Sequence, residues 1–202
     1  MIELNPQIIQ VLQDINFIER YENLSKSFND KRTPLQDRLR YIDGEIIIDS
    51  LTELGYEVDF DSTEKFFKIK ERQIKNYIFA ANIILENGMV DLVWIVRENG
   101  NLILGISLGE YSRLMINPDY RIKKPIFATY EDLDEIFQIA FQLFEDFKKT
   151  IIALEWSVIT SQNARERMAF DIIVIRKNFG TKHNEGLLKA LKYATSLWQF
   201  KK

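Results

Sequence analysis

The chain carries thirty carboxylates but a single imidazole, His183, and no cysteine. That inventory removes thiolate nucleophiles, disulfides and cysteine-type zinc sites at once. It also removes any pair of histidines that could share a metal ion. His183 sits in a polar connector, Gly180-Thr181-Lys182-His183-Asn184, where an imidazole reads as surface decoration rather than as a base. Asp59 and Asp61, flanking a short strand, could face one side and hold a hard cation; the plainer reading is a solvated strand end. Gly105-Ile106-Ser107-Leu108-Gly109 spells G-x-S-x-G. A nucleophile elbow needs a strand–turn–helix setting and a base, whereas this string falls inside a predicted strand. Asp91 lies on a strand, but the next strand lacks the Glu-x-Lys of restriction-type nucleases. Asp146-Phe147-Lys148 has a related spelling inside a predicted helix. No glycine loop of either phosphate-binding type is present. The chemistry-bearing residues argue weakly against an enzyme.

Charge is more informative than nucleophiles. The net charge is −3, but it is distributed in blocks. Residues 1–61 hold six basic against thirteen acidic side chains, and 129–155 hold two against seven. Residues 62–128 hold ten against seven, and 156–202 nine against three. Solvated faces that fold back on one another account for such blocks in most proteins. The functional reading is an acidic surface for a basic partner, or a basic C-terminal part, with Arg165, Arg176 and Lys189 among its cations, for phosphates. A pI near 5.4 argues against a dedicated nucleic-acid binder. The acidic stripe that stands out is Glu131, Glu135 and Glu145 on a predicted helix, with Asp132 beside it.

The elements that must position these residues are legible. Asn5 as N-cap and Pro6 at the first helical position open one helix, with Ile8, Val11, Leu12, Ile15, Ile18 and Tyr21 at helical spacing. Thr33-Pro34-Leu35-Gln36 reads as a capping box opening a second. Leu35, Leu39, Ile42, Ile46 and Leu51 form its expected stripe, Gly44 lies inside it, and Gly55 follows as C′ residue. After a short strand near Tyr56–Phe60, four strands follow at about 66–74, 77–86, 89–97 and 101–108. Glu86-Asn87-Gly88 and Glu98-Asn99-Gly100 join three of them, and Asn-Gly is the strongest short hairpin signal. Val90, Leu92, Trp94 and Val96 share one face of the third strand. Leu102, Leu104, Ile106 and Leu108 make a uniformly apolar face on the fourth. A helix from Tyr130 to Leu154, capped by Thr129, turns Leu133, Phe137, Ala140, Phe144, Phe147 and Ile151 inward. Two periodicities compete over 156–179, with helix preferred to strand, and a last helix runs from about Glu185 to Phe200.

The fold class expected is therefore α+β: an antiparallel four-stranded β-meander packed against helices, two N-terminal helices and a mostly helical C-terminal part. One domain over 1–202 is the simplest division, with 156–202 as an appended helical subdomain the alternative. With an acidic, Pro-broken N-terminus and no apolar run of spanning length, a soluble cytoplasmic protein is expected.

The stretch Asn76–Ile151 resembles small bacterial toxin-immunity proteins of the contact-dependent or polymorphic-toxin kind. The resemblance rests on the meander with its Asn87-Gly88 and Asn99-Gly100 turns, then Lys124-Pro125-Ile126-Phe127 leading into Tyr130-Glu131-Asp132-Leu133. It implies a stoichiometric, non-catalytic inhibitor that binds a cognate protein toxin and uses no cofactor. The partner surface expected is Glu131, Asp132, Glu135 and Glu145, facing a basic catalytic domain. Two alternatives stand beside it. One is a carboxylate and divalent-metal enzyme acting on nucleic acid; the other is a nucleic-acid-associated regulatory or defence component.

Overall fold

The computed structural model describes residues 4–179, with side chains over 4–154. The chain divides into two compact units, Met1–Ile152 and Ala153–Lys202. The first unit is an α+β arrangement around a five-stranded antiparallel sheet. Its strands are β1 (Val58–Asp61), β2 (Phe66–Ile74), β3 (Tyr77–Glu86), β4 (Met89–Glu98) and β5 (Asn101–Ser107), in meander order. The fifth strand, β1, pairs Val58 with Ile69 and Asp61 with Phe66.

The two Asn-Gly turns are as expected. Asn87 and Gly88 have φ of 53° and 69°, and Asn99 and Gly100 have 49° and 83°. Positive φ at both central positions matches the right-handed twist of the flanking strands. Strand alternation then sorts the side chains. Phe67, Ile69, Phe79, Ala81, Ile83, Val90, Leu92, Trp94, Val96 and Leu104 are all buried, and the cross-strand register puts them on one face. Trp94 is the hub of that face, with ring centroids of Phe17, Phe144 and Phe147 at 5.7, 5.1 and 5.4 Å. The apolar face predicted for β5 is interrupted. Its register slips between Val96 and Arg97, leaving Ile103 without a partner and turning Leu102 over Gly105 on the opposite face. Leu102 is consequently exposed.

Helices cover the inner face. The first predicted helix is in fact two, α1 (Pro6–Asp14) and α2 (Phe17–Ser27), hinged at Asn16 with φ 52°. The cause is a phase jump in the apolar pattern. On one continuous helix Phe17, Tyr21, Leu24 and Phe28 would lie opposite Ile8, Val11 and Leu12, yet all seven are buried. Asn tolerates the left-handed conformation that resolves the conflict.

The second predicted helix starts late. Thr33-Pro34-Leu35-Gln36 produces just a 3₁₀ turn, Leu35–Asp37, and Leu35 is exposed. Beyond it the backbone is extended at Arg38, and the Leu39 N–H is taken by the Phe127 carbonyl at 3.3 Å. Helix α3 runs from Gly44 to Glu53, with Asp43 as N-cap accepting from the Glu45 N–H at 3.0 Å. Gly44 therefore begins the helix rather than weakening its interior.

A further helix, α4 (Leu108–Met115), continues directly from β5 and buries Leu108, Tyr111 and Ser112. Leu108 ends the predicted strand by its apolar alternation and here begins the helix. Pro125–Phe127 runs antiparallel beside the start of β4, which β5 does not reach, with Val90 N–H to Pro125 O and Phe127 N–H to Gly88 O both 2.9 Å. That segment leads into α5 (Tyr130–Phe179), helical also over 156–179, where helix was preferred to strand. Its part up to Ile152 belongs to the first unit; of the second unit the described part is helical backbone through Phe179. The predicted helix from Glu185 and His183 lie outside the described residues. Among the described residues, no helix is long and apolar enough to cross a membrane.

Candidate functional site

The four acidic residues expected to form a partner surface separate into two kinds. Glu131 and Glu135 stand on the exposed ridge of α5. Hydrogen bonds from its own backbone and from Thr129, at the start of the helix, hold the Glu131 carboxyl below the usual range. Asp132 is buried. Its backbone N–H donates to Thr129 Oγ1 at 3.2 Å, while its carboxylate accepts from the Ala128 N–H at 2.9 Å and from Arg32 at 2.5 Å. This carboxylate closes the helix N-terminus and ties it to the Asn29–Arg32 turn, so it organises the surface from beneath.

Glu145 also turns inward, towards Tyr56 and Lys148. The Tyr56 hydroxyl donates to Glu145 Oε1 at 2.5 Å, and the Lys148 ammonium pairs with the same oxygen. Burial opposes ionisation of Glu145. The bonds from Lys148 and Tyr56, with the charges of Lys148 and Arg72, outweigh it and hold the carboxyl below its usual range. Burial first, then the Glu145 bond and charge, push the Tyr56 hydroxyl far above its ordinary value. Lys148 is itself buried at 3% exposure, with its ammonium 4.9 Å from the Phe144 ring centre and 5.5 Å from that of Tyr56.

Three further carboxylates form an exposed ridge of their own, unnoticed in the sequence. Glu45, Asp49 and Glu53 recur every fourth residue along α3, opposite its buried Ile47 and Leu51. All three are exposed, and none has an ion pair among the described residues. Their spacing was legible, but a helix starting at Thr33 would have drawn attention to other residues. Two contacts connect the neighbourhoods of α3 and α5. At their starts the Asp43 N–H donates to the Tyr130 hydroxyl at 2.8 Å. Past the end of α3, the Tyr56 ring lies 4.5 Å from that of Phe141. Both helices turn apolar sides to the core and carboxylates away from it.

The residues weighed for catalysis are engaged elsewhere. Ser107 does sit at a strand–helix joint, yet its backbone is relaxed at φ −60° and ψ 145°. Its hydroxyl donates to Asp91 Oδ1 at 2.5 Å, and Lys124 pairs with Asp91 Oδ2 at 2.7 Å. The serine proton thus goes to a carboxylate already neutralised by a lysine. Asp61 caps the following turn through the Thr63 and Glu64 N–H groups, both 3.0 Å away, and Asp59 lies 3.8 Å from Lys70. Among the described residues, no three carboxylate or imidazole side chains converge to hold a metal ion. No protein-family model, no curated protein and no solved structure was found to match the chain.

Proposed function

We propose that this protein is a non-catalytic immunity protein that binds and neutralises a cognate bacterial toxin in the cytoplasm. The α3 and α5 carboxylate ridges cover a basic face of the toxin's catalytic domain. Glu131 and Glu135 make contact, extended by Glu45, Asp49 and Glu53, while Asp132 and Glu145 hold the two helices in place.

The observation that carries this reading is the stacking of like charges without ion pairs at one-turn spacing along α3 and again at the start of α5. Each i, i+4 like-charge pair costs a helix about 0.2–0.5 kcal/mol. Folding gains nothing from it, whereas a basic partner relieves the repulsion and is steered by it. The first experiment is tagged purification from the native host with quantitative mass spectrometry. A stoichiometric basic protein, toxic when expressed alone, is the expected result. With that partner in hand, Glu131→Lys combined with Glu135→Lys should weaken binding at least a hundredfold, largely through the association rate. Wild-type affinity should also fall steeply with salt. Undiminished affinity in the double reversal, or nucleic acid as the co-purifying species, would refute the proposal.

A further inference from the structure

A cleft of about 270 Å³ opens between the end of α3, the middle of β2 and α5. It is built around an irregularity in the sheet. Phe67 and Ile69 point to the inner face of β2, and strict alternation would send Glu71 there next. The register slips by one residue between Ile69 and Arg72, so that Arg72 pairs with Phe79, a residue of the inner face. A bulge commonly re-aims a side chain in this way. Here it delivers an arginine to the mouth of a cleft whose walls include Tyr56, Phe79, Phe144 and Lys148.

The donors at this cleft exceed their acceptors. Arg72 makes no hydrogen bond and no ion pair among the described residues, although its charge reaches both Tyr56 and Glu145. An ammonium has three N–H donors, and the buried Lys148 has one carboxylate oxygen as its partner among the described residues. The other charges on the lining are matched. Lys70 lies between Glu57 and Asp59, and Glu71 pairs with Arg97. One unmatched guanidinium remains, near the half-buried Tyr56.

We infer that this cleft binds a small aryl carboxylate, its ring against the half-buried Tyr56 and its carboxylate across Arg72 and Lys148. The planar guanidinium fork matches a carboxylate in two parallel bonds. A monoanion balances the one unmatched charge, whereas a phosphate dianion would meet Glu57, Glu71 and Glu145 with a charge to spare. The volume lies at the lower edge of ligand-pocket sizes and suits a single ring. The cleft shares Tyr56 and Lys148 with the Glu145 cluster, but the inference does not rest on the toxin reading.

The test is calorimetric titration of the full chain with sodium benzoate and sodium 4-hydroxybenzoate, with benzamide and inorganic phosphate as matched controls. Saturable binding of at least one carboxylate at low millimolar concentration is expected, with neither control binding. Arg72→Gln should weaken it at least tenfold, and Arg72→Lys should fall between, since it keeps the charge but not the fork. Arg72 is exposed, so both variants should keep the wild-type circular dichroism spectrum and melting temperature. Absence of binding by both carboxylates, equal binding of benzamide or phosphate, or full affinity in a folded Arg72→Gln would each overturn the inference.

Discussion

Gly88 and Gly100 occupy identical Glu-Asn-Gly tripeptides, yet replacing each by Ala should have very different costs. Both have positive φ, 69° and 83°, so an added Cβ meets the same local penalty of about 1–2 kcal/mol. In each case the stiffer unfolded chain returns about 0.4–1 kcal/mol. At Gly100 nothing lies within 4 Å of the added methyl, and the net loss should be about 0.5–1 kcal/mol by that difference. At Gly88 the methyl would sit 2.5 Å from Arg38 Cβ and 3.2 Å from the Phe127 carbonyl oxygen. Neither can swing aside, because a Cβ moves with its backbone and Phe127 is fully buried. Its N–H also donates to Gly88 O at 2.9 Å. Overpacking of this kind adds about 1–3 kcal/mol, bringing Gly88→Ala to about 2–4 kcal/mol. Urea unfolding followed by Trp94 fluorescence, in a Trp156→Phe, Trp198→Phe background, reads the first unit alone. Equal losses at the two turns would refute the argument that the β3–β4 turn is a tertiary joint and the β4–β5 turn a free one.

Two further perturbations follow from buried groups. Burial pushes the Tyr21 and Tyr111 hydroxyls far above the ordinary value of 10.0. A raised folded value means that stability is fully present below pH 10 and lost above it, as the unfolded chain ionises first. At pH 11 the two together should cost about 3 kcal/mol. Tyr111→Phe gives up its bond to the Ile106 carbonyl (3.1 Å) at neutral pH, so its deficit should shrink by about 1.4 kcal/mol between pH 9 and 11; a constant deficit would contradict this. At the start of α5, Asp132→Asn should lose about 1–3 kcal/mol, discounted because Arg32 is half exposed. Glu135→Gln should leave the urea midpoint unchanged or slightly raised, since it relieves about 0.2–0.5 kcal/mol of repulsion with Glu131. Identical midpoints for the two variants would show that Asp132 does not anchor the helix.

Much of this molecule is written in short-range chemistry. Strands β2 to β4 and both Asn-Gly turns follow from alternation and from the need for positive φ, requirements that involve a few neighbouring residues. Thr129 and Asn5 open their helices for the same reason, since a cap needs no more than the turn it closes. The misreadings have other causes. Thr33 to Gln36 has the residues of a helix start, but Leu39 donates its N–H to Phe127, far along the chain. The split at Asn16 was recoverable from the opposed phases of Ile8 and Phe17. It is masked because Ile18 falls beside Val11 on the earlier period. The start of α4 was hidden by Leu108, which suits both a strand and a helix.

Residue type and spacing settled which side chains are charged; packing decided which of those charges face solvent. Glu131, Asp132, Glu135 and Glu145 are alike on the page. Yet the Asn29–Arg32 turn reaches Asp132, and Tyr56 and Lys148 reach Glu145, leaving Glu131 and Glu135 on the surface. Arg72 faces its cleft because one residue of β2 lacks a partner on β3, a matter of register between strands. Caps, turns and alternation are fixed by neighbours within a few residues. The partner of a buried charge is chosen by whichever distant segment the core brings against it.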